Sequence, residues 1–161
     1  MELFSALPTL SQTIIENFKL DIDGDHGQHH WNRVYLNALM LSKHYNIEND
    51  HFFALFALFH DSCRENEYWD EIHGLRGGEY AKTFHHNGVD LEDEELHKLI
   101  FACANHTVTD LNHPYSKDIM VQICWDSDRL DLGRIGIQPD PKYLFTSHAK
   151  NIASTIQIDP F

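Results

Sequence analysis

Between Phe52 and Phe59 the chain reads Phe-Phe-Ala-Leu-Phe-Ala-Leu-Phe, and it passes at once into His60-Asp61. A segment that is apolar on every side has to be enclosed by other elements. The imidazole and carboxylate at its end are carried inward with it, and burying both without partners costs several kcal/mol. Neighbouring protein groups satisfy such a pair in part, and a metal ion does so more completely. His60-Asp61 is therefore the expected centre of a metal site, with the rest of the chain organised around it.

The remaining pattern is helical. Leu10, Ile14, Ile15 and Phe18 share a face of a first helix over 4–19. The acidic, glycine-containing stretch 21–27 reads as a loop, and a second helix follows from about Gln28 to Tyr45. Asn49 or Asp50 caps the third helix, which carries the buried run to about His60. Residues 64–72 are polar and read as a loop beside the site. A fourth helix runs from about His73 and stops before Asn87-Gly88. The fifth begins among the acids of 92–95, which suit a helix N-terminus, and ends near His106. After a turn-rich loop at 107–116 a sixth covers about 116–132, and 142–157 makes a last one beyond Pro139 and Pro141. Strand signals are nearly absent. The expected fold is all-α, a single-domain bundle of five to seven helices spanning 1–161. Its core is about 26–136, with the N-terminal helix and the C-terminal tail packed on it.

With 161 residues, 42% of them hydrophobic, the chain has material for one core. A net charge of −13 argues against a nucleic-acid backbone or an anionic membrane as partner. Cys63, Cys103 and Cys124 are odd in number and form no C-x-x-C pair, which suits reduced thiols in a cytoplasmic protein. No signal peptide or membrane span is evident.

Helical spacing then selects which polar residues face inward. His30 shares a face with Val34, Ala38 and Leu41; His73 with Gly77, Tyr80, Ala81 and Phe84. His106 follows Leu99 and Cys103 at the same spacing, and Asp128 follows Met120 and Cys124. One such histidine is more often a hydrogen-bonded core residue than a ligand. Four helices each sending one imidazole or carboxylate inward, towards His60 and Asp61, is how metal sites inside helical bundles are built.

These residues, in this order, resemble the HD-domain superfamily of metal-dependent phosphohydrolases. His30-Trp31-Asn32-Arg33-Val34, His60-Asp61 and Asp128-Arg129-Leu130-Asp131 are similar to its H…HD…D signature, mapped to His30, His60, Asp61 and Asp128. The stretch from His73 to Ala81 resembles the H-G-x-x-G-A segment common there, with Gly78 where Ala is usual. With His106 this completes an extended H…HD…H…H…D set. In the superfamily that set can hold two metals bridged by the Asp of the HD pair. The resemblance covers about residues 26–136 and implies an HD-domain-like helical fold. The chain lacks the G-Y-P signature of cyclic dinucleotide phosphodiesterases, and Ser62 to Glu67 lacks the Glu-Asp pair of (p)ppGpp hydrolases.

The expected function is a metal-dependent phosphohydrolase acting on a small phosphorylated metabolite or nucleotide through metal-activated water. The mixed imidazole and carboxylate donors suit Mn, Fe, Co, Ni or Zn, one or two ions per chain. His30, His60, Asp61 and Asp128 form the main site in this reading, with His73 and His106 holding a second metal or contacting the substrate phosphate. Asp61 orients or deprotonates the attacking water. Arg64 grips phosphate beside it, and Glu65 or Asp70 serves as general acid. Arg33, Arg76, Lys82 and Arg129 are the cations expected to bind the substrate; for Arg33 and Arg129 structural ion pairs, for example to Asp131 or Glu65, carry equal weight. Trp31, Tyr68, Trp69 and Trp125 are core or rim aromatics that could also stack on a base. The main alternative is a di-iron oxygenase of the same fold; a binding protein without turnover is the third.

Overall fold

The computed structural model describes residues 2–157. Among them are eight α-helices and three short 3-10 helices, with no strand. The α-helices are α1 (Leu3–Ala6), α2 (Pro8–Asn17), α3 (Gln28–His44), α4 (Asp50–Phe59), α5 (His73–Lys82), α6 (Asp93–Ala104), α7 (Ile119–Arg129) and α8 (Ser147–Ala153). No helix in this range is long and apolar enough to cross a membrane.

Helix α4 is the axis of the bundle. Asn49 caps it by accepting a hydrogen bond from the Phe52 N–H at 3.3 Å. Every residue from Phe52 to Phe59 is buried, and α1, α3, α5, α6 and α7 all pack on this helix. Side chains of Trp31, Tyr35 and Trp125 fill the space around it, and the Trp125 indole N–H donates to the Ala102 carbonyl at 3.0 Å. The buried helix delivers its last turn, and with it His60 and Asp61, to the centre of the domain.

Helix α5 reaches that centre because it has no side chain where it meets its neighbours. A Cβ on Gly77 would lie 2.1 Å from the Phe59 carbonyl oxygen, and one on Gly74 would lie 2.1 Å from that of Cys103. Only glycine permits this approach, which presses α5 onto the end of α4 and onto α6 and sets His73 beside Asp61.

Several boundaries fall short of the sequence expectation, among them the end of α5 at Lys82 and the span of α7 over Ile119–Arg129, and two further differences have a clear cause. The first helix is interrupted: Leu7 leaves the helical region at φ −133°, ψ 59°, so 3–17 forms two helices. The proline ring at Pro8 crowds the residue before it out of the α region, while Pro8 itself starts α2 without strain. This break raises the helix count above seven. The last helix starts at Ser147 rather than 142. The buried Asp126 carboxylate of α7 accepts from the backbone N–H of Phe145 at 2.8 Å and of Thr146 at 2.7 Å, and from the Thr146 hydroxyl at 2.7 Å. Residues 144–146 are thereby held extended, and Thr146 then caps α8. The end of the expected C-terminal tail, 158–161, lies outside the described residues.

Candidate metal centre

Six side chains converge beneath the end of α4, in two groups of three. In the first group, His30 Nε2 of α3 lies 3.1 Å from His60 Nε2 and 3.3 Å from Asp128 Oδ1 of α7. In the second, His73 Nε2, at the start of α5, lies 3.0 Å from His106 Nε2, just past α6. Asp61 stands between them. Its Oδ1 is 3.0 Å from His73 Nε2 and 3.5 Å from His106 Nε2; its Oδ2 is 3.6 Å from His30 Nε2 and 3.7 Å from His60 Nε2.

The outer ring nitrogens assign the tautomers. His60 Nδ1 donates to the Ala57 carbonyl at 3.0 Å, His106 Nδ1 to the Cys103 carbonyl at 2.7 Å, and His73 Nδ1 to the Asp70 carbonyl. A carbonyl only accepts, so each Nδ1 carries the proton and each Nε2 of a neutral ring presents a lone pair. His30 Nδ1 meets Asp131 Oδ2 at 2.7 Å, which assigns it in the same way. Two pairs of lone pairs thus face one another at about 3 Å beside buried carboxylates. Lone pairs at that separation repel unless a cation lies among them, so the donor set fits a divalent ion in each group, with Asp61 shared. Nitrogen and oxygen donors in this mixture suit Mn, Fe, Co, Ni or Zn.

Without a metal, a proton on some of these rings relieves that repulsion. Burial pushes His60 down to about 3, which leaves it a neutral ligand. Burial also works against a charge on His30 and His106, yet both are raised: His30 by hydrogen bonds with Asp128 and Asp131, His106 chiefly by Asp61. Asp61 and Asp128 lie below the usual carboxylate range although burial opposes it, because imidazoles surround them. The cluster holds protons where it would hold metal.

Arg64 steadies the shared carboxylate, its Nε donating to Asp61 Oδ1 at 3.0 Å and its Nη1 to the Tyr68 carbonyl at 3.2 Å. Above the cluster opens a cavity of about 660 Å³. Asp61, His106 and Asp128 lie at its floor; Arg64, Arg129, Arg134 and Lys142 supply positive charge. Arg129 is anchored by the carbonyls of Tyr143 and His106, at 2.5 and 3.2 Å, and by the Thr109 hydroxyl at 2.7 Å.

Several residues singled out from the sequence do not line this cavity. Glu65 is exposed and paired with Lys19 at 2.7 Å, so the general acid expected there is not brought to the floor. Asp70 instead accepts from Arg76 at 2.6 Å and from the Glu65 N–H at 2.9 Å, closing the loop after α4. Arg76, expected to bind substrate, is occupied there and by the Cys63 carbonyl at 2.9 Å. Arg33 pairs with Asp131 at 2.7 Å, the structural alternative weighed for it. Lys82 lies in a separate depression with Glu79 and His97. Trp31 and Trp125 are core, Tyr68 and Trp69 are exposed, and none of the four lines the cavity.

Three basic residues that sequence reasoning missed do line it, Lys142 at the rim and two deeper ones, His26 and Arg134. His26 is buried, hydrogen-bonded through Nδ1 to Glu67, and its pKa is lowered by burial. It precedes the first residue of α3 by two positions, in a loop with no period to reveal its direction. Arg134 donates Nε to the Asp25 carbonyl at 2.8 Å and Nη1 to the Asp131 carbonyl at 3.2 Å, while its Nη2 makes no hydrogen bond among the described residues. It lies on the 3-10 turn Leu132–Ile135, which the periodicity assigned to no face.

An all-helical bundle with a buried histidine and aspartate cluster under an open cavity is the class that fold and site define. Comparison of structures finds the same fold in a known protein. The chain shares the fold of a predicted HD superfamily hydrolase from an uncultured Thermotogales bacterium, with a TM-score of 0.71 and 22% sequence identity over 96% of this chain and 90% of that one. No protein-family model matches the chain, and no curated protein matches it in sequence.

Proposed function

We propose that the protein is a metal-dependent hydrolase of phosphate esters or anhydrides, acting on a small phosphorylated metabolite. One observation carries this: the paired imidazoles on either side of Asp61 meet a cavity through Asp61, His106 and Asp128 at its floor, and arginines stand on its walls. In an acidic chain, cations gathered at one opening are a selective feature, and guanidinium is suited to phosphate oxygens. The name of the structural neighbour agrees with hydrolytic chemistry.

A divalent ion in such a centre supplies Lewis acidity to a phosphoryl oxygen and lowers the pKa of a bound water. The protein's own groups do the rest. Arg134 and Arg64 hold phosphate oxygens over the floor. Asp61, kept ionised well below its usual range, orients rather than accepts a proton. His26 takes up and returns a proton at Nε2, while Glu67 holds its Nδ1 side.

The test is metal content of protein purified without chelator and air, followed by phosphate release from a panel of phosphate esters. Release that depends on the added metal and is lost in His60→Ala is expected. Two irons per chain with dioxygen uptake and no phosphate release would replace this reading with the oxygenase.

A further inference from the structure

The walls of the cavity are unlike its floor. Val108 and Leu111 approach from the loop after α6, Leu132 and Ile135 from the turn after α7, and Tyr143, Leu144 and Phe145 from the end of the 3-10 turn Pro141–Tyr143 and the extended strap that follows it. Four of these apolar side chains are exposed, Val108 at 64%, Leu111 at 62%, Tyr143 at 62% and Ile135 at 40%. Exposed apolar groups converging on one opening from three separate segments mark a binding surface.

What the walls lack is as informative. Reading the edge of a nucleobase takes paired donors and acceptors, usually amides or carboxylates. Among the described residues no Asn or Gln lines this cavity, and its carboxylates, Asp61 and Asp128, belong to the metal cluster. The Thr109 hydroxyl is engaged by Arg129, which leaves the hydroxyls of Thr107 and Tyr143, single groups on different segments rather than a paired donor and acceptor. The aromatic rings are engaged as well: Phe145 packs against Trp125 at 5.1 Å and carries the Arg129 guanidinium at 5.1 Å, and Tyr143 carries the Lys142 ammonium at 4.6 Å. Between the apolar walls and the floor, Arg134 keeps its Nη2 unengaged and its side chain largely buried.

We infer that the substrate is the phosphate monoester of an apolar alcohol, its phosphate held by Arg134 over the metal cluster and its hydrocarbon body lying along Val108, Leu111, Ile135 and Tyr143. This rests on the hydrolase reading for the reaction, but the binding preference stands or falls separately.

The experiment is calorimetric titration of the metal-loaded protein with phosphonates, which keep the anion and are not hydrolysed. Octylphosphonate is compared with methylphosphonate and with AMP. Each methylene buried is worth about fourfold in affinity, so octylphosphonate should bind about 100-fold tighter than methylphosphonate or more. Ile135→Asn should remove at least about tenfold of that advantage while leaving methylphosphonate unchanged. Arg134→Gln should weaken both phosphonates alike. Equal affinity for the two phosphonates, or tighter binding of AMP than of octylphosphonate, would overturn the inference. Phosphonate selectivity without phosphate release from octyl phosphate would retain this binding surface and reject the hydrolase.

Discussion

His30 and Asp131 are joined by a 2.7 Å hydrogen bond from Nδ1 to Oδ2, across a hundred residues of chain. Asp131 is held in turn by Arg33 at 2.7 Å through its other oxygen. The carboxylate fixes which ring nitrogen carries the proton and so turns the His30 Nε2 lone pair towards His60 and Asp128. Such outer partners orient ligands and raise their basicity. Asp131→Asn should keep the fold and lower metal affinity by about 10- to 100-fold, read by competition with a calibrated chelator. Unchanged affinity would show that packing alone orients the ring.

Among the described residues, Asp61 is the one carboxylate within reach of both groups. Asp61→Ala should lose metal from both, whereas His73→Ala should keep an ion among His30, His60 and Asp128. Elemental analysis of each purified variant decides this. Full metal occupancy in Asp61→Ala would sink the assignment.

The close approach of α5 predicts a stability effect away from any ligand. In Gly77→Ala the new methyl would collide with the Phe59 carbonyl, which is fixed inside α4. The loss should be about 3 kcal/mol, seen as a lower midpoint in thermal or urea unfolding. Because Gly77 also sets the distance between His73 and Asp61, metal in the second group should weaken in parallel.

Metal affinity should rise with pH. His30 and His106 have pKa values raised above 6.5, so in the metal-free protein they keep protons that free imidazole would have released. A metal must displace those protons, and protonation competes with it at every pH below the raised values. Affinity should therefore keep climbing from about pH 6 to above pH 7 instead of levelling near the ordinary imidazole range. A calorimetric series in buffers of different ionisation enthalpy would also register the proton release. An affinity independent of pH over that interval would contradict these protonation states.

Much was legible in the chain before folding. The run Phe52–Phe59 could only be interior, and a buried helix that ends in His60-Asp61 carries them inside whatever the rest does. His30 sits one turn from Val34 on a face that also carries Ala38 and Leu41, and all four are buried. Periodicity recovers such residues because in a regular helix sequence spacing dictates direction. It missed the break before α2, where Pro8 acts on the residue preceding it rather than on its own position.

The basic residues show where that logic ends. Arg33, Arg76 and Lys82 adjoin motif residues, yet the first two are satisfied by Asp131 and Asp70 and the third lies in another depression. Arg134 and His26, which adjoin no helical motif, line the cavity. Long charged side chains go where partners from distant segments draw them, and those partners are set by packing. The sequence by itself determined a helical bundle built round a buried His-Asp pair, because hydrophobic period and helix geometry are local properties. Tertiary structure alone decided the facing lone pairs, the arginine left unengaged and the apolar walls, because each is a relation between side chains that meet only when α3, α5, α6 and α7 close around α4.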